Sequence, residues 1–426
     1  MTTRELDLVL YGATGFVGAL TAGHLAEHAE PHVRIALAGR SRTKLEALRA
    51  ELGTAAADWE LVEVDATDTA GLRRLAARAT AIASTVGPYA RHGKELVRAC
   101  AEEGTHYADL TGEVLFVRWS LDDVATRAAE TGARIVHACG FDSIPSDLGV
   151  LVTAQRAAQD GEGTLGETTL AVRSMRGGFS GGTIDSGRQQ IIAMQGDDAA
   201  RRTVSDPYGL SPRRSEEPSS ERDSGATATL ERWTHVDRDT ETNHWNGPFI
   251  MASFNTRIVR LSNTLANWAY GREFRYREVV DFGSGVLAPV KAGAMAIGLG
   301  VVLGGLSFRP TRALLDRILP KPGDGPTAEQ RARGRFRLEI RTTTSTGARY
   351  VTKVSADYDP GYNGTAIMLG QSALSLALDG DRLPQRAGVL TPATAMGDVL
   401  VERLRARGFV FDTSRRSGDG SVAQDG

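Results

Sequence analysis

The sequence predicts an α/β protein in which a doubly wound parallel sheet over residues 1–145 is followed by an α+β domain with a mixed or antiparallel sheet over residues 146–412. Two observations carry this prediction. Apolar residues 8–11 run directly into three glycines spaced three apart, and apolar segments then alternate with helical ones as far as residue 139. Beyond Ser146 the alternation stops. The first pattern is typical of a Rossmann-type nucleotide domain, and the change after it indicates a separate substrate domain.

The three glycines predict a dinucleotide-binding turn. Gly12 suits a tight turn, Gly15 allows the backbone to approach a pyrophosphate, and Gly18 allows the next helix to pack closely on the strand. Backbone amides at the start of that helix can then face the phosphates. A purely structural glycine turn is the alternative. The cofactor-binding residues predicted here are Gly12, Ala13, Thr14, Gly15, Phe16, Val17 and Gly18.

The second predicted strand, residues 33–39, favours NADP(H) over NAD(H). In NAD-preferring sites an acidic residue closes this strand, whereas here Arg40 follows Gly39. The guanidinium of Arg40 offers a planar fork to a 2′-phosphate, and Ser41 and Lys44 add further donors. The alternative is that these residues form only a solvated helix start.

Four more apolar segments, 61–65, 81–86, 106–110 and 134–139, complete six predicted strands. Ligands of such sheets bind beyond the carboxyl ends of the strands. We therefore predict that Asp65 and Ala66 lie at the adenine. The residues predicted beside the nicotinamide ribose are Val86, Gly87 and Pro88.

Catalytic candidates also follow these strands. Tyr89 comes directly after the predicted nicotinamide segment, so it is our candidate for donating a proton or contacting an enolate oxygen. Ser143 is the candidate for holding a carbonyl oxygen. Asp109, Glu113 and Asp142 are either helix caps or acids for reduction of an imine or carbonyl.

The second domain contains predicted strands over residues 165–175, 335–344 and 348–358, and residues 413–426 are predicted to form a disordered tail. Residues 286–308 hold a single charge, Lys291, and arginines follow at 309, 312 and 317. Three interpretations of this apolar segment remain open: a transmembrane helix, a buried core element, or a lipid-facing surface or acyl tunnel.

The amino-acid composition restricts the kinds of binding partner that we expect. Fifty basic and 52 acidic residues give a net charge of −2, which argues against nucleic acid. Cys100 and Cys139 lie in apolar stretches typical of buried thiols, so neither a disulfide framework nor a metal site is predicted. The chain shows no secretory pattern at its start, so we expect a cytoplasmic protein, peripheral to the inner face of the plasma membrane if residues 286–308 face lipid. A homo-oligomer is left open.

Several sequence blocks resemble the saccharopine dehydrogenase-like oxidoreductases, in particular the trans-acting enoyl reductases of actinobacterial lipid and polyketide biosynthesis. The most specific segment is Phe141–Gly149, and other blocks are Ala108–Glu113, Arg176–Thr183 and Thr391–Ala393. The resemblance implies an NADP(H)-dependent oxidoreductase that reduces a lipid or polyketide enoyl thioester in trans, with a polyketide synthase as partner. The alternatives are a saccharopine-type imine or carbonyl reductase and a non-catalytic, membrane-associated NADP-binding protein. Acyl chain length, carrier and stereochemistry are not specified by the sequence.

Overall fold

The computed structural model describes residues 4–177, 188, 192–217, 235–307, 311 and 325–416. The strands of this part are β1 Leu6–Tyr11, β2 Ile35–Gly39, β3 Glu60–Glu63, β4 Ala79–Ser84, β5 His106–Asp109, β6 Arg134–Val136, β7 Leu165–Arg176, β8 Asp237–Arg238, β9 Trp245–Pro248, β10 Arg275–Asp281, β11 Arg335–Thr344, β12 Arg349–Ala356, β13 Gly388–Leu390 and β14 Val410–Arg416.

The helices are α1 Phe16–His28, α2 Arg42–Leu52, α3 Thr69–Arg78, α4 Tyr89–His92, α5 Lys94–Glu103, α6 Val114–Asp123, α7 Ala125–Thr131, α8 Ile144–Gln159, α9 Asp198–Ser205, α10 Ala252–Leu265, α11 Ala288–Ser307, α12 Ala328–Ala332, α13 Thr365–Leu378, α14 Pro392–Ala395 and α15 Gly397–Arg405. Short 3₁₀ turns lie at Gly53–Ala56 and Arg214–Glu216, and a π-turn at Pro360–Gly364.

The first sheet is parallel, in the order β13-β6-β5-β4-β1-β2-β3. Its central strands are almost completely buried, as expected where helices cover both faces of a parallel sheet. All six predicted strands are present, and the predicted fold class is confirmed. The seventh strand, β13, was not predicted: it comes from the far end of the chain and pairs with β6 through Val389 and Ile135.

The second sheet is mixed, in the order β14-β12-β11-β7-β10-β9-β8. Strand β7 pairs in parallel with β10 and antiparallel with β11. Strands β11 and β12 form a hairpin whose turn contains Gly347 at a φ of +88°, a conformation that favours glycine. The three strands predicted for this domain are all present.

Helix α13 joins the two parts of the chain, because it packs on β1, β4 and β5 of the first sheet and on α1. Inside this contact the Gln371 amide lies 2.8 Å from Nε2 of His24, and burial lowers the pKa of His24 to about 3. Residues of both sheets belong to one continuous apolar core. Residues 365–390 thus complete a layer that begins in the first 145 residues.

Two further expectations concern the predicted tail and the apolar segment 286–308. Strand β14 extends to Arg416, so residues 413–416 of the predicted tail are paired with β12, while residues 417–426 lie outside the described residues, as do residues 178–183 and 308–310. Helix α11 contributes buried Ala288, Ala292 and Ala296 to the interior, and the backbone of Ala292 lies against Gly247 of β9. Among the described helices, none has the length and apolar character needed to cross a bilayer.

Candidate functional site

The glycine turn between β1 and α1 has the geometry of a phosphate-binding turn. Gly12 has a φ of +86°, and a Cβ there would lie 2.6 Å from Cγ2 of Val86; a Cβ on Gly18 would lie 2.2 Å from the Gly12 carbonyl oxygen. The protein itself therefore requires glycine at both positions. Gly15 differs, because it is exposed and a Cβ there would meet only the Gly12 oxygen, at 3.4 Å.

Gly15 is also the N-cap of α1 and has no side chain with which to cap it. The amides of the first helical turn therefore remain for an external acceptor. No acidic residue occupies that turn, so the positive end of the helix dipole is not neutralised locally. The exposed glycine, the uncapped amides and the helix dipole fit a dinucleotide diphosphate.

Three donors meet at the end of β2. Arg40 and Lys44 are exposed, and neither makes an ion pair or side-chain hydrogen bond within the described part of the chain. Ser41 is the N-cap of α2, yet its hydroxyl does not cap the helix. Arg42 differs, because its guanidinium donates to Glu46 and to the Leu61 carbonyl at 3.0 and 2.9 Å. This arrangement fits a phosphate monoester, such as the 2′-phosphate of NADP(H).

The structure places the other cofactor candidates along the same edge of the sheet. Asp65 follows β3, is exposed, and accepts hydrogen bonds from the amide and hydroxyl of Thr67 at 3.0 and 2.7 Å, which lower its pKa. Ala66 is half-buried beside it. Residues 86–88 follow β4, where the Val86 side chain lies against Gly12. The predicted adenine and nicotinamide segments therefore flank the glycine turn.

Tyr89 points into the protein. Its hydroxyl donates to the Ser84 carbonyl at 3.1 Å and accepts from the Leu110 amide at 3.2 Å, and its ring packs on Phe116. The side chain is buried, and burial raises its pKa well above the usual value. The phenol thus links the ends of β4 and β5 instead of facing the edge where a cofactor would lie. For this reason we do not retain Tyr89 as a proton donor.

Ser143 is also enclosed. It is fully buried, and its hydroxyl donates to Oδ1 of Asn255 at 3.2 Å. Asn255 in turn donates to Glu278. Ser143 therefore belongs to a buried polar network between α8, α10 and β10, and we do not retain it as a substrate contact.

The three carboxylates at the end of β5 and in the segments after β5 and β6 have different surroundings. Asp109 accepts from the amides of Thr111 and Ala138 at 3.0 and 3.2 Å. Glu113 accepts from the amides of Tyr89 and Ala90 at 2.9 and 2.8 Å. Both are buried acceptors that satisfy backbone donors. We therefore interpret Asp109 and Glu113 as structural residues and not as catalytic acids.

Asp142 is the exception. Its carboxyl is half-buried and makes no hydrogen bond or ion pair with any described residue. It lies beyond the end of β6, opposite the loop after β5: a Cβ on Gly112 would lie 3.9 Å from its Oδ2. Burial raises the pKa of Asp142 to about 6. This side chain combines an available carboxyl with a position at the edge where ligands of such sheets bind.

Glu278 provides a test of the buried network. It accepts from the Asn255 amide and the Tyr276 hydroxyl at 2.9 Å each, no described basic side chain pairs with it, and burial raises its pKa from 4.5 to about 7. A raised pKa in the folded state stabilises the protein below pH 4.5, and this contribution is lost as the pH rises through 7. It amounts to about 3 kcal/mol at most.

We therefore expect Glu278→Gln to lose less free energy of unfolding between pH 5 and pH 8 than the unaltered protein. Urea unfolding at the two pH values measures this difference. Glu51→Gln, at an exposed carboxyl on α2, is the matched control and should keep the original pH dependence. Equal pH dependence in all three proteins would rule out Glu278 as its source. Buried Asp147, whose pKa is raised to about 7, contributes with the same sign and remains in every variant.

Comparison with known proteins is consistent with this geometry. Residues 8–138 match the family model described as the saccharopine dehydrogenase NADP binding domain. A protein of Mycobacterium tuberculosis is 50% identical over 420 residues, which cover 97% of this chain and 99% of the relative. Two proteins named trans-acting enoyl reductase, from Mycobacterium ulcerans and Mycobacterium bovis, are 49% and 48% identical, over 97% of this chain and 98% and 99% of their own.

Two solved structures share the fold over nearly their full lengths. Apo saccharopine dehydrogenase (L-Glu forming) from Saccharomyces cerevisiae has a TM-score of 0.53 at 11% identity and covers 96% of this chain and 99% of its own. Homospermidine synthase from Legionella pneumophila, in complex with NAD, has a TM-score of 0.50 at 11% identity, with 98% and 92% covered. At these identities the likeness concerns the arrangement of both sheets.

Proposed function

The chain belongs to the family of the trans-acting enoyl reductases, and from this membership we propose that it reduces the carbon–carbon double bond of an enoyl thioester with NADPH. The protein is an NADP(H)-dependent oxidoreductase of the saccharopine dehydrogenase-like type. The observation that carries the proposal is the 48–50% identity to the mycobacterial relatives, which extends over 97% of the chain and so includes both sheets.

We assign the cofactor contacts by position. Residues 12–18 would hold the diphosphate at the start of α1, and Arg40, Ser41 and Lys44 would bind the 2′-phosphate. Asp65 and Ala66 would lie at the adenine, because they follow β3 at the same edge. Residues 86–88 would lie along the nicotinamide ribose. The exposed Gly15 supports this assignment, as do the side chains of Arg40 and Lys44 at the end of β2, which form no ion pair within the described part of the chain.

Asp142 is our candidate for the catalytic acid. NADPH, when bound, would supply the hydride for the β-carbon of the enoyl group, and the α-carbon would then need a proton. The neutral carboxyl of Asp142 would donate that proton and recover one from water afterwards. Its position beyond β6, the lack of a described hydrogen-bond partner and a pKa near 6 support this role.

The proposed activity is tested by following NADPH oxidation with crotonyl-coenzyme A, with a longer 2-enoyl thioester, and with the same enoyl group on an acyl carrier protein. Glutamate with an aldehyde tests the saccharopine-type alternative. We expect oxidation with the enoyl thioesters and none with the imine-forming pair. Turnover with the imine-forming pair alone would contradict the proposal. NADPH binding without turnover of any of these would favour a non-catalytic protein.

Action in trans implies that the acyl group arrives on another protein. We propose a polyketide synthase without a working enoyl reductase domain as that partner; the names of the relatives, trans-acting enoyl reductase, support action on a substrate presented by another protein. Faster reduction of a carrier-bound enoyl group than of its coenzyme A ester would support it.

We also propose that the protein acts in the cytoplasm and touches the membrane surface through α11. Apolar side chains immediately before this helix and on its outer side are largely exposed: Leu287, Val290, Ile297 and Val301, at 64, 65, 69 and 67%. An apolar helix face of this kind can enter the headgroup region of a bilayer.

We expect the double variant Val290→Glu, Ile297→Glu to cosediment several-fold less with vesicles of phosphatidylglycerol and phosphatidylcholine than the unaltered protein. Val410→Glu, at an apolar position on β14 that is 43% exposed, is the matched control. Absence of vesicle binding by the unaltered protein would contradict the proposal. A double variant with unchanged vesicle binding but a smaller mass by light scattering would assign the face to a homo-oligomer instead.

A further inference from the structure

A segment from the second part of the chain lies over the start of α1. The ring of Phe16, the first residue of that helix, meets Tyr362 edge to face at a centroid distance of 5.0 Å. Gly325 packs directly on the same ring, since a Cβ there would lie 2.3 Å from Cζ of Phe16. The guanidinium of Arg331 lies 5.3 Å from the ring centroid. The glycine turn is thus bordered by residues more than 300 positions away in the sequence.

Arg331 is held in a defined position. Its Nε donates to Oδ1 of Asn363 at 3.1 Å, and its Nη1 donates to the Pro326 carbonyl at 2.7 Å. The short helix α12 that carries it begins with a capping box between Thr327 and Gln330, which orders the segment. Nη2 of Arg331 makes no hydrogen bond with any described residue.

The charges around Arg331 favour the binding of an anion next to it. Arg331 lies beside the N-terminal end of α1, which carries a partial positive charge and no acidic residue in its first turn. None of the described carboxylates forms an ion pair with Arg331. A fixed cation beside a positive helix end is repelled unless a negative group lies between them, and the diphosphate that the glycine turn accommodates is such a group.

We propose that Arg331 is a diphosphate ligand contributed by the second part of the chain, so that the NADP(H) site is built from both. This inference rests on the proposed use of NADP(H). Nη2 would donate to a phosphate oxygen, while the Phe16 ring supports the face of the guanidinium. Binding of the cofactor would then depend on residues 325–334 and 360–364 staying in place over α1.

The experiment compares Arg331→Leu with Arg333→Leu, an exposed arginine of the same segment that forms no described ion pair. Three probes are titrated: NADPH, 2′-phospho-ADP-ribose, and adenosine 2′-monophosphate, which has no diphosphate. We expect Arg331→Leu to weaken the binding of NADPH and of 2′-phospho-ADP-ribose by roughly tenfold or more. Its affinity for adenosine 2′-monophosphate should not change. Arg333→Leu should bind all three normally.

Arg331→Lys keeps the positive charge but loses the planar guanidinium with its paired donors. It should bind NADPH more tightly than Arg331→Leu does and less tightly than the unaltered protein. Equal losses for all three probes would indicate a structural role for Arg331 and overturn the inference, as would unchanged NADPH binding by Arg331→Leu. Absence of NADPH binding by the unaltered protein would overturn the cofactor assignment itself, which distinguishes that failure from the failure of this inference. Thermal melting of each variant shows whether the segment still folds.

Discussion

Asp142→Asn is expected to lower kcat for enoyl thioester reduction by about 100-fold or more, the usual contribution of a positioned general acid. NADPH affinity should stay within about twofold, because the carboxyl would act on the substrate. In the unaltered protein kcat should fall as the pH rises above about 6, because the proton donor must be protonated and its pKa is raised to about 6. The variant should lack this decline.

Stopped-flow oxidation of NADPH, with the enoyl thioester that the unaltered protein reduces fastest, measures both effects. Glu63→Gln is the matched control, since Glu63 is an exposed carboxyl at the end of β3, on the same edge of the sheet. Its rate and pH profile should be those of the unaltered protein. If Asp142→Asn keeps the full rate and the same pH profile, the proton comes from another group or from water.

Gly15→Val is expected to fold but to lose NADPH binding by a factor of at least ten. Its Cβ would meet only the Gly12 oxygen at 3.4 Å on the protein side, so the added side chain projects outward, where the diphosphate would lie. Gly18→Val should instead destabilise the fold by about 3 kcal/mol or more, because its Cβ would lie 2.2 Å from a backbone oxygen.

Thermal melting and NADPH titration of both variants separate the two effects. Gly23→Val is the control, because Gly23 also lies in α1 and a Cβ there meets nothing within 4 Å. Apart from a small loss of helix propensity it should behave as the unaltered protein does. Normal NADPH binding by Gly15→Val would mean that the turn has only a structural role.

The first sheet was largely predictable because each of its long strands is a local apolar run. Strand β13 was not, since three residues, Gly388–Leu390, have no periodicity to measure and their partner β6 lies some 250 positions away. The mixed second sheet was predicted through β7, β11 and β12, its three longest strands. The short strands β8 and β9 gave no comparable signal.

The catalytic candidates were harder to predict, for a physical reason. Position after a strand brings a residue to the carboxyl edge of the sheet but does not set the direction of its side chain. Tyr89 and Ser143 point inward, although both lie in the segments that come after strands β4 and β6. Among Asp109, Glu113 and Asp142, the identity of the amides nearby decided which carboxylate stayed available. The Thr111 amide lies two residues from Asp109, but the amides of Tyr89, Ala90 and Ala138 come from more distant parts of the chain, so a local sequence pattern does not reveal the full arrangement.

Strand β13 and helix α13 are synthesised long after the other elements of the first sheet, and this order affects how the protein folds in the cell. A nascent chain that has only its first 145 residues outside the ribosome has the glycine turn but not the helix that covers β1, β4 and β5, nor the strand that pairs with the edge of β6. That intermediate leaves apolar surface and an open sheet edge exposed to other chains. The nucleotide-binding layer is therefore completed only after residue 390 has emerged.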